Sequence, residues 1–204
     1  CYIVSSFKIT RLNMKKILVG THNKGKFKEI AYLLPKKYKK ISPLKLQIKS
    51  PRETGNSFKS NARLKVEFFS KFVDYGVISD DSGLCIKALN NHPGIFSARL
   101  AKKHGSFLKA MKFILKNLKS KKNRSATFVC SLSYKDERGK ITTVQGNLKG
   151  TISNKILGKK GFGYDPIFIP KGKKITFGQM SKIKKIKMDH RFLAFKELLK
   201  KTKI

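Results

Sequence analysis

The chain has 204 residues, with 48 Lys and Arg against 11 Asp and Glu, a formal net charge of +37, and 40% hydrophobic and 10% aromatic residues. That length and apolar content suit one globular domain, or two closely joined lobes, and exclude a disordered chain; lysines also break every apolar run before the roughly 20 residues that span a bilayer, so no membrane association is expected. The charge sets the sign of the ligand but not its kind: Lys is spread along the chain and greatly outnumbers Arg, whereas a dedicated nucleic-acid binder gathers Arg and aromatics in a stripe, so no specific nucleic acid is expected.

Residues 1–13, CYIVSSFKITRLN, precede Met14 and are read as a non-native or disordered extension, with a single domain over 14–204. Their apolar stretch is too short for a signal peptide, and no small-residue cleavage site follows. Cys1, Cys85 and Cys130 are too scattered for a disulfide framework or a zinc site and fit a reducing cytoplasm. KKILVGT (15–21) is a buried strand, HNKG a tight turn, and KFKEIAYLL (26–34) a helix by the spacing of Phe27, Ile30, Ala31 and Leu34, stopped by Pro35. A short strand precedes Pro51. SFKSNARLKVEFFSKF (57–72) aligns Phe58, Ala62, Val66, Phe69 and Phe72 on one stripe behind a Ser57 cap. YGVISDDSGLCIKAL reads as strand, turn, strand, and FLKAMKFILKNL gives a helix over about 104–119. ATFVCSLSY and ITTVQGNLKGTI alternate as an antiparallel pair around KDERGK. GFGYDPIFIP (161–170) is a Gly-rich loop feeding a short strand, and a last helix from about 189 turns Phe192, Phe195, Leu198 and Leu199 inward. Strand–loop–helix units beside an antiparallel pair predict an α/β fold with a mixed sheet.

Five stretches carry chemistry. GTHNKGK (20–26) satisfies the first part of a P-loop at a strand-to-helix junction, but Phe27 stands where that motif needs a magnesium-binding hydroxyl. A phosphate-cradling loop of another kind, helped by Asn23, Lys24 and Lys26, balances against a plain basic turn. Asp80 and Asp81 are adjacent acids in an acid-poor chain. On an extended backbone they point to opposite faces, Asp80 with Ile78. Magnesium takes one or two carboxylates with waters and phosphates, so a metal site outweighs a surface turn here. Glu53 is a lone loop acid that, paired with Asp81 across a cleft, completes such a site. GKKGFGYDPIF suits close approach of a ring, or a hairpin with a packed Tyr. In DHR (189–191), His190 and Arg191 could bond a base or phosphate, with capping by Asp189 as the plainer reading.

ILVGTHNKGKFKEI, ETGNSFKSNARLK, ISDDSGLCIKALNNHPGIFSARLA, GFGYDPIFIP and KKIKMDHRFLAF occur in the order and spacing of one family. From about Lys15 to the last helix, the chain resembles the inosine triphosphate pyrophosphatase family. The resemblance implies an elongated α/β fold with a central mixed sheet and a deep cleft between two lobes, a homodimer, and magnesium-dependent hydrolysis of ITP, dITP or XTP to monophosphate and pyrophosphate. It also implies roles. Thr21, His22, Asn23, Lys24, Gly25 and Lys26 line the triphosphate side; Glu53 and Asp81 associate with Mg²⁺, and Asp81 accepts the proton of the attacking water. Ser82 touches substrate, Lys65 faces phosphate, Phe162, Gly163, Tyr164 and Asp165 hold the purine, Lys185 meets phosphates or base, and His190 with Arg191 reads the 6-oxo edge. The chain departs from the family pattern at Ser60 (usually Glu), Gln179 (an acid), Asp189 (Ser) and His22 (often Gly); Gln179 and Asp189 bear on base recognition and rate. The alternatives are a Maf-like pyrophosphatase for modified pyrimidine nucleotides and a non-catalytic basic nucleic-acid binder. The enzyme reading alone expects acids concentrated in one cleft.

Overall fold

A computed structural model describes residues 14–204; the expected extension at 1–13 lies outside them. In chain order the elements are β1 (Lys15–Val19), α1 (Lys24–Leu33), β2 (Tyr38–Ile41), α2 (Phe58–Phe69), β3 (Gly76–Ile86), α3 (Ser97–Lys103), α4 (Phe107–Asn117), β4 (Ser125–Lys135), β5 (Ile141–Ile152), β6 (Phe168–Pro170), α5 (Lys182–Ile186) and α6 (His190–Lys201). The sheet runs β2-β1-β3-β4-β5-β6, parallel across β2, β1 and β3 and antiparallel from β3 onward, so it is mixed.

β1 buries Ile17 and Val19 with α1 and α6 on one face, and Leu18 with α2 on the other. A short apolar run covered on both faces is what makes this strand central. The far ends of β3 and β4 belong to a second core, where Leu84, Ile86 and Phe128 pack with Met111, Ile114, Phe168 and Phe177. Residues from both halves line one cleft.

Local chemistry explains the helix ends. Asn23 caps α1 by accepting from the Gly25 and Lys26 N–H groups. At α2, Ser57 accepts from Ser60 N while Ser60 Oγ accepts from Ser57 N, a reciprocal capping box. Ser60 thus makes the back-bond that a Glu or Gln at this position makes in the usual capping box. Asp189 caps α6 through the Phe192 N–H and makes no ion pair with Arg191.

Several expectations are corrected. DDSG is no turn: β3 runs unbroken through it, registered on β4 with Asp81 opposite Ser131 and Gly83 opposite Val129. Ladder hydrogen bonds on a long partner strand override the turn propensity of Ser-Gly. The helix expected over 104–119 begins only at Phe107, behind a Ser106 cap, and the separate α3 precedes it. α3 and α5, with seven and five residues, are too short to show a helical period. Phe72 lies beyond α2 and Leu199 on the outer side of α6, and both are exposed.

Candidate active site

The alternation of β3 separates the two aspartates. Asp80 joins Ile78 on the α1/α6 face, and Asp81 turns to α2, as an extended backbone requires. Asp80 is buried, 3.1 Å from Lys26 Nζ and 3.4 Å from Arg191 Nε, and accepts from Ser82 Oγ. Burial alone would raise its pKa, but Lys26, Arg191 and Lys65 outweigh burial and hold it below the usual carboxylate range.

Asp81 accepts from Asn61 Nδ2 at 3.1 Å and from Ser82 N at 3.0 Å. Burial pushes its carboxyl above the ordinary value despite the pull of Lys65 and Lys26. Lys65 Nζ donates to Glu53 Oε1 at 2.6 Å and lies 3.7 Å from Asp81 Oδ1. One ammonium therefore gathers the two acids read as a pair, and Lys65 is buried between them rather than open to a ligand. Burial would depress Lys65, yet Asp81, Asp80 and Glu53 keep it raised and charged. Arg99 donates to the Glu53 carbonyl oxygen at 2.7 Å and pins that loop.

The opposite end of the cleft is an alternating ion chain. Lys26 pairs with Asp80, Asp80 with Arg191, Arg191 with Glu29 at 2.7 Å, Glu29 with Lys185 at 2.8 Å, and Lys185 with Asp165 at 2.6 Å. Arg191 Nη2 also donates to Ser82 Oγ at 2.7 Å. The Phe162 ring lies 4.4 Å from Lys185 Nζ and 5.4 Å from the Arg191 guanidinium carbon, a cation–π arrangement. His190 stacks on Phe128 with centroids 4.7 Å apart, and burial with nearby Arg191 and Lys185 keeps it neutral.

The cleft takes in Asn23, Lys26, Glu53, Asp81, Ser82, Phe162, Gly163, Tyr164, Asp165, Lys185, His190 and Arg191. The empty space between these walls, open mouth included, is about 630 Å³. Other expected residues stand behind it. His22 Nε2 donates to the Ile48 carbonyl, Thr21 Oγ1 accepts from Asn23 N, Lys24 is exposed, and Gly25 lies against Phe162 where a Cβ would meet the ring at 2.6 Å. Tyr164 lines the wall, but its hydroxyl donates to the Ser97 carbonyl, which makes it a packed anchor. Gln179 is exposed at a turn outside the cleft, where its side-chain oxygen accepts from Thr176 N.

The sequence pattern does not single out Glu29 or Phe128. Glu29 sits one helical turn after Lys26, and the scarcity of acid that singles out Asp80 and Asp81 applies equally to it. A further dependence lies at Gly83, where a Cβ would collide with the Gly94 carbonyl and lie 2.6 Å from Ser97 Oγ. Ser97 Oγ donates to Gly94 O and accepts from Leu84 N, binding the 94–97 loop to the strand. Gly83→Ala pushes that loop off the cleft wall and lowers stability by about 1–3 kcal/mol, read from urea denaturation.

A chain of caged cations and an aromatic ring at one end, with two carboxylates at the other, defines a cleft for phosphorylated ring compounds. The chain belongs to the Ham1 family, whose profile matches residues 17–201. It is 37% identical over 199 residues to the dITP/XTP pyrophosphatase of Zymomonas mobilis, covering 96% of this chain and 95% of that one. The Bacillus subtilis dITP/XTP pyrophosphatase is 38% identical, with 92% and 96% covered. Among solved structures, the Staphylococcus aureus Ham1 protein superposes with TM-score 0.80 at 35% identity, covering 90% of this chain and 96% of that one. A Coxiella burnetii HAM1 protein gives 0.82 at 31%, with 93% and 100% covered.

Proposed function

We propose that the protein hydrolyses non-standard purine nucleoside triphosphates (ITP, dITP and XTP) to the monophosphate and pyrophosphate, removing them from the nucleotide pool. The observation that carries this reading is the placement of acid. Of 11 acidic residues, Glu53, Asp81 and Asp165 line one cleft, and Glu29, Asp80 and Asp189 back it. A non-catalytic polyanion binder has no use for carboxylates in its groove, whereas metal-assisted phosphoryl chemistry requires them.

Glu53 and Asp81 would hold magnesium. They offer hard oxygens on the cleft wall, and two carboxylates are the number Mg²⁺ takes when phosphates and waters complete its shell. Bound there, the metal supplies charge neutralisation and polarisation of the phosphate oxygens. Asp81, fixed by Asn61 and Ser82 N, orients the attacking water and accepts its proton. Lys26, on the cleft wall, supplies positive charge toward the triphosphate. Phe162 covers the ring, and donors on His190 and Arg191 meet a 6-oxo group. A 6-amino group leaves those donors unpaired, which disfavours ATP. Among the described residues no helix is long and apolar enough to cross a membrane. The proposal extends to a homodimer in the cytoplasm, where the free thiols of Cys85 and Cys130 stay reduced.

The test is pyrophosphate release from ITP, dITP, XTP, dATP and GTP with and without Mg²⁺. Metal-dependent release that favours the first three is expected. Equal rates on dATP, or no release from any of them, overturns the reading.

A further inference from the structure

The ion chain from Lys26 to Asp165 is balanced. Lys26, Lys185 and Arg191 alternate with Asp80, Glu29 and Asp165, and each member touches only opposite charge. Asp189 is a seventh ionisable group beside this chain and pairs with none of it. Its side chain is fully buried; Oδ1 accepts from Phe192 N, and Oδ2 has no partner. The groups facing it are Glu29 on α1, Lys185 on α5 and His190 and Arg191 on its own helix, with Asp80 on β3 and Cys130 on β4 beyond the guanidinium. His190 is neutral and its Nδ1 is also without a partner.

An unpaired buried carboxylate oxygen is costly when charged. A proton on Oδ2 removes the charge and restores the balance of the chain. Without that proton, Asp189 becomes a further anion competing for Arg191, the residue that also holds Ser82 and borders the base end of the cleft. We propose that Asp189 is a positioning residue that works in its protonated form, and that its ionisation sets the upper pH limit of tight nucleotide binding in this protein. This rests on the nucleotide reading of the cleft. The direction of the shift agrees: burial and then Glu29 push the Asp189 carboxyl up to about 7, against the pull of Arg191 and Lys185.

Two variants keep the α6 cap while removing the acid, since Asn and Ser both cap well. They are Asp189→Asn and Asp189→Ser. KM for ITP is measured from about pH 6 to about pH 8.5 for all three proteins; wild-type KM rises by about 30-fold more than that of either variant, each pH unit beyond the midpoint corresponding to a tenfold change. Titration of the substrate itself is common to all three and cancels in the comparison. Parallel KM–pH curves overturn the proposal.

A second measurement needs no activity. A carboxyl raised in the folded state binds more protons there than when unfolded, so it loses stability as pH climbs from the unfolded value toward the folded one. Wild-type Tm therefore falls relative to Asp189→Asn between about pH 4 and about pH 7, and the gap is constant above that. A gap independent of pH overturns the proposal. Absence of ITP hydrolysis in wild type at every pH defeats the function instead, and the Tm comparison still decides the state of Asp189.

Discussion

Asp81→Asn lowers metal-dependent pyrophosphate release from ITP by about 10²- to 10⁴-fold, the range a positioned general base contributes. The substitution keeps shape and size but removes the carboxylate proposed to accept the proton and to face the metal. Stability moves the other way or not at all. Burial already works against the charged form of Asp81, so its neutral analogue is well tolerated there. A variant with wild-type Tm and a collapsed kcat places the residue in the chemistry. Retention of kcat within about tenfold of wild type removes Asp81 from the role assigned to it.

Glu29→Gln has the opposite profile. Glu29 is 4% exposed and its two oxygens each receive a different buried cation, Lys185 and Arg191. Breaking a buried pair leaves charge uncompensated and costs about 3–5 kcal/mol. For a chain of this size each kcal/mol moves Tm by about 2–4 °C, so a fall of roughly 6–20 °C is expected by calorimetry. Because Arg191 and Lys185 border the cleft, KM for ITP rises in the same variant, while kcat at saturation changes less. A Tm within about 2 °C of wild type would show that the remaining partners, Asp80 and Asp165, neutralise both cations unaided.

The contrast between these two acids marks how far sequence reading reaches. Asp81 was legible because an apolar strand delivers it beside another acid in a chain that has few. Glu53 was legible only as a partner for it. For their common counter-ion, Lys65, the resemblance implies a phosphate-facing role, and nothing in the order of residues says which side of its helix meets the Glu53 loop. The ion chain was illegible for a plainer reason. Glu29 and Lys185 are 156 residues apart, and Glu29 and Arg191 are 162 apart. Periodicity reports only local neighbours, and α5, which carries Lys185, has five residues.

The elements themselves followed local rules closely where those rules are strong: Pro35 after α1, Ser57 ahead of α2, and the alternating β4–β5 hairpin. They failed where tertiary pairing overrules them, as in the unbroken β3. Asp189 illustrates a middle case. Its capping role was readable from position, but the isolation of its second oxygen is a property of what packs around α6.

β3 also bears on how this chain can vary over generations. The split of Asp80 toward Lys26 and Arg191, and of Asp81 toward Asn61 and Lys65, depends on counting residues rather than on their identity. A single inserted or deleted residue between Gly76 and Asp80, if no bulge absorbs it, would slip the register on β4 by one and turn every later side chain to the other face. Asp80 would then face α2, and its neighbour the ion chain. Substitutions along this strand can be tested by selection one at a time and in small steps. Changes in its length cannot, because a single step moves Asp80, Asp81 and Gly83 at once.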